Sequence, residues 1–298
     1  MRADLIAAPA AGGRRLDAAP EAFGHLRPTA PGDPAAHRAR LAEDGYLFVP
    51  GLLDREAVRA AREELLEADG LTQDYPMRSE RMRSVLQGER MHGFFAGLLE
   101  GAVRSYDFIW LRAQASGDPV THPHCDLVFM GRGTPDVLTC WTPFGDIALG
   151  GGGLLILEGS HRVSPMRLAG YLAQDVDTYC ENGPNAEAVR TGAMHWEHWE
   201  DPAPGRDWGG EISDDAVALR EEWGGRWLTA PEYKMGDVLV FTMRTVHAGT
   251  DNETRALRLS SDSRYQPADA PVDERWIRGA HGEDPIGHGL AAKRATIC

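Results

Sequence analysis

The chain reads Val137-Leu138-Thr139-Cys140-Trp141-Thr142-Pro143-Phe144 near its middle and, after a glycine-containing turn, continues with Gly153-Leu154-Leu155-Ile156-Leu157. Both runs are short, rich in apolar and aromatic residues and bounded by turn formers, which is typical of strands. Four further stretches have the same character: Tyr106–Gln114, His124–Met130, Asp237–Met243 and Ala256–Ser263. Because few helical patterns separate these strands, they predict an all-β core, an antiparallel sandwich or barrel.

Helical patterns lie on the N-terminal side of this strand-rich region. Asp33 and Pro34 supply an N-cap and a first-turn proline for a short helix that stops at Gly45. The strand Tyr46–Val49 follows, and Asp54 caps a second helix whose apolar residues fall on one face. The sequence therefore predicts helices that flank the β core.

Two segments have neither pattern. Residues 1–32 are rich in Ala, Pro, Gly and Arg without periodicity, so we expect a flexible N-terminal leader followed by a single domain over residues 33–298. A long polar stretch, about residues 162–230, interrupts the strands and holds five of the eight tryptophans: Trp196, Trp199, Trp208, Trp223 and Trp227. It is either a small additional core or a lid or substrate wall, because Trp combines a flat apolar face with an N–H donor.

Composition excludes several classes of protein. The 45 acidic residues outnumber the 31 basic ones, for a formal net charge of −14, which argues against nucleic acid and anionic membranes as partners. The longest apolar runs are far shorter than the ~18–20 residues of a membrane helix. We therefore expect no nucleic acid or membrane partner. The acidic excess is compatible with a small neutral or cationic substrate, and it is explained as well by a solvated surface.

Cysteine usage and the N-terminus bear on the compartment. The four cysteines form no Cys-x-x-Cys pair and are too sparse for a disulfide scaffold. The apolar stretch Leu5–Ala11 is short, contains Pro9 and does not match a signal peptide. We expect a cytoplasmic protein, as a monomer or homodimer.

A His-x-Asp pair is the first candidate for chemistry. On a strand alternate residues share a face, so His124 and Asp126 are predicted to point the same way, with Cys125 pointing away. His247 follows the predicted strand Asp237–Met243. Two imidazoles and one carboxylate suit the facial triad that binds non-haem Fe(II) and leaves one face of the metal open. The pair alone also occurs by chance, so the prediction needs further support.

That support comes from Arg258, eleven residues beyond His247. On the predicted strand it shares a face with Ala256 and Ser260, and if that face lines the interior the guanidinium is a buried cation. Burying a cation without a counter-charge costs roughly several kcal/mol of folding free energy. Its partner is either an internal Asp or Glu, or the far carboxylate of a bound 2-oxoglutarate, which a guanidinium can grip with two hydrogen bonds.

These pieces occur in the order of a known family. Over residues 41–266 the chain resembles the phytanoyl-CoA dioxygenase family of Fe(II)/2-oxoglutarate oxygenases. The matching segments are Asp44–Leu53, His124-Cys125-Asp126, Trp141, Gly152–His161, Gly236–Phe241, His247, Arg258-Leu259-Ser260 and Arg264-Tyr265. Each segment is modest alone, and the ordered set is specific.

The resemblance implies a double-stranded β-helix, a cupin-like jelly roll with flanking helices. It implies that His124, Asp126 and His247 hold Fe(II), and that Arg258 binds 2-oxoglutarate with support from Ser260 and Trp141. O2 would be the second co-substrate. Some family members have Ala or Gly in place of the aspartate and halogenate, so Asp126 favours hydroxylation or another oxidation, such as ring closure or desaturation.

The substrate is predicted from weaker signals. The acidic, Trp-rich segment is the least family-like part and suits a small polar molecule, a secondary metabolite of saccharide-like or cationic character, with Trp196 and Trp199 as contacts. An acyl-CoA would need a basic patch for its phosphates, and the arginines there are dispersed among acids. His122 shares the predicted face of His124, and we expect it in the pocket rather than on the metal.

Two other classes of function stay open. A cupin-type metal-dependent isomerase or epimerase would use a His-rich metal site without 2-oxoglutarate, although no Glu follows His124 at the spacing a cupin site favours. A non-catalytic jelly-roll binding protein would keep the fold alone. The presence of all four residues, His124, Asp126, His247 and Arg258, argues against the second.

Overall fold

The computed structural model describes residues 8–67, 75–163, 165–172, 210–285 and 287, and every structural statement below concerns these residues. Its strands are β1 Ala10–Ala11, β2 Arg14–Arg15, β3 Phe23–His25, β4 Tyr46–Val49, β5 Val103–Ser105, β6 Trp110–Gln114, β7 Leu138–Pro143, β8 Ile147–Ala148, β9 Leu154–Leu157, β10 Trp227–Thr229, β11 Glu232–Tyr233, β12 Val238–Thr242, β13 His247–Gly249 and β14 Arg258–Pro267. Its helices are α1 Pro34–Asp44, α2 Arg55–Glu67, α3 Tyr75–Arg78, α4 Glu80–Gln87, α5 Glu89–Leu99, α6 Leu127–Met130, α7 Pro165–Leu172 and α8 Ala216–Trp223, with 3-10 turns at Ser160–Arg162 and Glu274–Trp276.

Two sheets face each other. The larger has the antiparallel order β4-β12-β7-β14-β5, and β6 also pairs with β14. The smaller has the order β13-β9-β10-β3 and is antiparallel except where β3 joins β10. An apolar cluster from both sheets fills the space between them and includes Phe48, Trp141, Ile156, Leu228 and Phe241. This arrangement confirms the predicted jelly roll with flanking helices.

Strand alternation divides the larger sheet into two faces. On β14, Leu259 and Tyr265 join the core beneath helices α2, α4 and α5, together with Leu138 and Cys140 of β7. The alternate residues of β14, Arg258 among them, therefore face the space between the sheets. The predicted face for Arg258 is confirmed.

The first helix forms as the sequence predicts. The Asp33 carboxylate accepts hydrogen bonds from the backbone N–H groups of Ala35 and Ala36. Gly45 ends the helix with φ +76°, in the left-handed region that favours glycine, and its N–H donates to the Leu41 carbonyl. This turn delivers the chain directly into β4.

The prediction of a flexible leader is wrong for residues 8–32. Ala8, Leu16 and Phe23 are buried in one cluster, and β3 pairs with β10 of the smaller sheet. The Asp251 carboxylate accepts from the backbone N–H groups of Gly12 and Gly13. The sequence of residues 8–32 shows no hydrophobic periodicity because this segment contributes only isolated apolar residues to a surface that the rest of the chain builds.

Two other expected boundaries change. Residues 124–130 were expected to form one strand, but His124 makes only an isolated bridge, to His247, and residues 127–130 form a helix that buries Val128 and Met130.

The insertion expected over 162–230 ends earlier, since β10 belongs to the smaller sheet. Trp227 is core and its indole N–H donates to the Ala216 carbonyl. The sequence also predicts Gly70 as the end of the second helix, and this residue lies outside the described ones.

No helix among the described residues is long and apolar enough to cross a membrane.

Gly45 yields a test of the fold. A Cβ at this position would lie 2.9 Å from the His161 Cβ and closer still to its ring, so Gly45→Ala combines backbone strain with a steric clash. Gly51 also has a positive φ, +64°, but a Cβ added there would have nothing within 4 Å. We expect Gly51→Ala to lower the free energy of unfolding by roughly 1–2 kcal/mol from strain alone and Gly45→Ala by clearly more. Urea unfolding of both variants measures the difference, and equal losses would contradict this packing.

Candidate metal centre and co-substrate pocket

Three predicted side chains meet between the sheets. The Nε2 atoms of His124 and His247 each lie 3.7 Å from the same oxygen, Oδ1 of Asp126. All three residues are buried, and their candidate ligand atoms lie within 4.8 Å of one another. Among the described residues, this is the one cluster of three or more His, Cys, Asp or Glu side chains placed closely enough to hold a metal ion.

The backbone brings the two histidines together. His124 and His247 form an antiparallel bridge in which each N–H donates to the other's carbonyl, at 3.1 and 2.9 Å. His247 begins β13 directly after the turn that leaves β12, and Asp126 precedes helix α6. The predicted convergence of His124 and Asp126 is therefore correct, although a bridge followed by a helical turn produces it rather than a continuous strand.

Backbone carbonyls fix both imidazoles. His124 Nδ1 lies 2.8 Å from the His122 carbonyl and His247 Nδ1 lies 3.0 Å from the Thr245 carbonyl. A carbonyl can only accept, so Nδ1 carries the proton in each ring and the Nε2 lone pair faces Asp126. This is how proteins orient histidine ligands towards a metal.

Protonation states in the cluster follow from burial and charge. Burial, reinforced by the neighbouring His247, lowers the pKa of His124 to about 3, and burial also lowers the pKa of His247. Burial alone would raise the pKa of Asp126, but the Arg264 guanidinium, with the hydrogen bond from Thr139, outweighs it and holds that pKa well below its usual value. Two neutral imidazoles and one carboxylate result, without any proton to displace.

Only one oxygen of Asp126 is free. Oδ2 accepts hydrogen bonds from the Thr139 hydroxyl and from Arg264 Nη2, the latter at 3.0 Å. Oδ1, the oxygen that faces both histidines, accepts no hydrogen bond within the described part of the chain. Two imidazole nitrogens and one carboxylate oxygen form the donor set of a facial triad, so these residues fit Fe(II).

Arg258 lies on the inward face of β14, and no carboxylate of the described residues forms an ion pair with it. Nη2 donates to Gln114 Oε1 at 2.7 Å and Nη1 donates to Ser260 Oγ at 2.9 Å. Nε is buried without a partner, and none of the described carboxylates pairs with this guanidinium. Burial, with repulsion from Arg112, lowers its pKa to about 10. The alternative of an internal salt bridge is therefore wrong for the described residues, and the group is suited to an anionic ligand.

Sequence reasoning missed the neighbours that shape this pocket. Gln114 is the cross-strand partner of Arg258, and Arg112 is the partner of Ser260. Arg112 Nε donates to Asp262, which is buried on the same face of β14. The alternation of Arg112 and Gln114 along β6 was visible in the sequence, but only the pairing of β6 with β14 shows which residues they contact.

The remaining predicted site residues fare differently. Trp141 is buried in the apolar cluster between the sheets, with its ring centroid 4.7 Å from that of Tyr233, and its contact with 2-oxoglutarate stays a prediction. His122 contributes its carbonyl to His124, while its side chain is half-buried. Trp196 and Trp199 lie outside the described residues.

Helix α7 is tied directly to the His124-Cys125-Asp126 segment. The Tyr171 hydroxyl accepts from the Cys125 N–H at 3.1 Å and donates to the Gly210 carbonyl at 2.8 Å. The Ile212 N–H donates to the Pro123 carbonyl at 2.7 Å. Burial raises the pKa of the Cys125 thiol to about 12, which, with its place in the apolar cluster of the smaller sheet, excludes it as a thiolate ligand.

A jelly roll that brings two histidines and one aspartate together has the side-chain set typical of non-haem iron oxygenases. A family model, Phytanoyl-CoA dioxygenase (PhyH), matches residues 79–260, more than half of the chain. The chain belongs to the phytanoyl-CoA dioxygenase family and is an Fe(II)/2-oxoglutarate-dependent dioxygenase.

Solved structures confirm the fold. The epimerase SnoN, in complex with Fe3+, alpha ketoglutarate and nogalamycin RO, is 22% identical, with a TM-score of 0.57 over 86% of this chain and 95% of SnoN. The carbocyclase SnoK from nogalamycin biosynthesis is 19% identical, with a TM-score of 0.54 over 89% and 98%. AviO1 from Streptomyces viridochromogenes Tue57 is 18% identical, with a TM-score of 0.50 over 82% and 100%. No curated protein matches the chain by sequence.

Neutral buried histidines make the stability of the metal-free protein pH-dependent. Unfolded histidines bind protons near pH 6.5, whereas His124 in the fold does so only at about pH 3. The unfolded state therefore binds more protons between these values, and stability should decrease as the pH is lowered, by up to about 1.4 kcal/mol per unit for each such histidine. We expect His124→Gln to flatten the dependence of the unfolding free energy on pH between about 4.5 and 6.5.

Urea unfolding in the presence of a chelator measures this slope. The exposed His25 on β3 supplies the control, and His25→Gln should leave the slope as in the unsubstituted protein. Equal slopes in His124→Gln and the unsubstituted protein would contradict the assignment of a neutral buried imidazole.

Proposed function

We propose that His124, Asp126 and His247 bind the Fe(II) of this dioxygenase, and that Arg258 with Ser260 binds the far carboxylate of 2-oxoglutarate. The substrate is a small polar secondary metabolite, with a saccharide-like molecule as the first candidate, oxidised at an unactivated C–H bond. The observation that carries the proposal is the cluster in which both Nε2 atoms face the one unoccupied oxygen of Asp126.

The chain's own residues prepare this chemistry. The His122 and Thr245 carbonyls hold the imidazoles with Nε2 presented, and burial keeps both rings neutral and ready to bind without releasing protons. Among the described residues, Arg258 has no carboxylate partner and its Nε has no acceptor, so a bound carboxylate would satisfy both its charge and its hydrogen-bonding capacity. Bound Fe(II) and 2-oxoglutarate supply O2 activation, coupled to release of succinate and CO2, for hydrogen abstraction from the substrate.

The rival classes fit these observations less well. A cupin-type isomerase or epimerase would leave Arg258 as a partly buried cation with no function, at a cost that a protein avoids when a neutral residue can pack there. A non-catalytic binding protein would have no need for two imidazoles fixed by carbonyls and aimed at one carboxylate oxygen. Trp141 is proposed as a further support for the co-substrate from the family resemblance alone.

The substrate class rests on the family and its structural relatives. SnoN is an epimerase and SnoK a carbocyclase, and both come from nogalamycin biosynthesis. These relatives support a secondary metabolite as the substrate class of this chain. Hydroxylation, ring closure, desaturation and epimerisation all begin at a C–H bond held near the metal, and positional differences of about an ångström decide among them.

Anaerobic reconstitution with Fe(II) and 2-oxoglutarate tests the co-substrate site. We expect a weak visible metal-to-ligand charge-transfer band, and we expect Arg258→Gln to weaken the affinity for 2-oxoglutarate by more than about tenfold, because a charge-assisted two-pronged contact is lost. Arg104→Gln, an exposed position on β5, serves as the matched control. A protein that binds iron but forms no band would point to the cupin-type alternative, and an Arg258 variant with unchanged affinity would place 2-oxoglutarate elsewhere.

Succinate release identifies the substrate. Candidate sugars, glycosides and acyl-CoA esters are screened for stimulation of 2-oxoglutarate turnover, and we expect stimulation by the glycoside set. Trp196→Ala and Trp199→Ala should then raise the apparent KM for the stimulating compound with a smaller effect on kcat, since the indoles are proposed to contact substrate before reaction. Unchanged KM values would exclude the Trp wall, and stimulation by acyl-CoA alone would exclude the proposed substrate class.

A further inference from the structure

Arg264 is a second arginine on the inward face of β14, six residues beyond the partly buried Arg258. It is 2% exposed, and its guanidinium lies over the Trp110 ring, 4.2 Å from the ring centroid. Nη2 donates to Asp126 Oδ2 at 3.0 Å, whereas Nε and Nη1 are buried without a hydrogen-bond partner. Burying a charged guanidinium is costly. Among the described residues, that of Arg264 nevertheless makes a single hydrogen bond, the one to Asp126.

Thr139 contacts the same oxygen from the neighbouring strand. Its hydroxyl donates to Asp126 Oδ2. Thr139 on β7 and Arg264 on β14 are direct cross-strand partners in the larger sheet. The two donors thus converge on Oδ2 because the register of the sheet places them side by side, and neither depends on a mobile loop for its position.

Another buried arginine of this protein, away from the His-Asp-His cluster, engages its carboxylate partner differently. Arg275 is equally buried at 2%, and it donates to both oxygens of Asp273 through Nε and Nη2. That pair satisfies both carboxylate oxygens. The Thr139–Arg264 pair instead leaves Oδ1 of Asp126 free on the side of the histidines.

We propose that Thr139 and Arg264 form a clamp on Asp126 Oδ2 that makes Asp126 a one-oxygen ligand. The inference rests on the proposed metal centre. A carboxylate can bind a metal through one oxygen or both, and a second bound oxygen would take a position that a facial triad must keep for its co-substrates. By engaging Oδ2 with two donors, one of them charged, the clamp reserves Oδ1 for the metal. Thr139 and Arg264 are positioning residues, since they act through Asp126.

Titration with Co(II) alone, which does not require turnover, tests the clamp. We expect Thr139→Val and Arg264→Met each to weaken Co(II) binding by about 10–100-fold, as is usual when a partner of a metal ligand is removed. Thr139→Ser keeps the donor and should bind within about threefold of the unsubstituted protein. The controls are Thr142→Val, a buried threonine on the opposite face of β7, and Arg275→Met, and both should also stay within about threefold.

A second readout separates positioning from simple loss of affinity. At saturating Co(II), the clamp variants should bind 2-oxoglutarate more weakly than the unsubstituted protein does, because a freed Oδ2 competes for the metal. Circular dichroism checks the fold, and Arg264→Lys, which keeps the charge and one donor, is measured if the methionine variant does not fold.

The outcomes are distinct. Unchanged Co(II) affinity in Thr139→Val and in the Arg264 variant would overturn the clamp, as would equal losses in the two control variants. Failure of the unsubstituted protein to bind Co(II), or binding that survives Asp126→Ala, would instead overturn the metal centre itself and the clamp with it.

Discussion

Burial of charge along one face of β14 is the constraint on which the site depends. Arg258, Ser260, Asp262 and Arg264 all face the space between the sheets, where an uncompensated charge costs several kcal/mol, roughly. Arg264 is compensated by Asp126, and Asp262 by Arg112. Arg258 alone has no anionic partner among the described residues. The stripe that these four inward-facing residues form therefore carries an excess of one positive charge, at the end where 2-oxoglutarate is proposed to bind.

The same stripe connects the proposed metal centre to the proposed co-substrate site through a paired strand. Asp126 is held by Arg264 at one end of the stripe, and Gln114 and Ser260 hold Arg258 at the other. Both ends lie on one strand whose partners, β6 and β7, fix its register. A site on paired strands keeps its geometry better than a site on loops, which suits a reaction in which positions decide the product.

The histidines depend on the smaller sheet instead. Their mutual backbone bridge joins β13 to the His124 segment, and Tyr171 ties that segment to helix α7 and to Gly210. The Tyr171 hydroxyl therefore links Cys125, which lies between two of the proposed ligands, to Gly210, and the Ile212 N–H donates to the carbonyl of Pro123 next to His124.

The sequence by itself determined the fold class, the His-Asp-His set and the face of Arg258, because these follow from strand periodicity and from an ordered set of local motifs. It predicted a loose leader for residues 8–32 and a straight strand over 124–130, and both are wrong because isolated apolar residues and a single bridge leave no periodic pattern. Thr139, Gln114 and Arg264 acquire their roles only when β6, β7 and β14 pair. Cross-strand register is a property of the assembled sheet, so only the tertiary structure decided which oxygen of Asp126 stays free and which arginine stays unpaired.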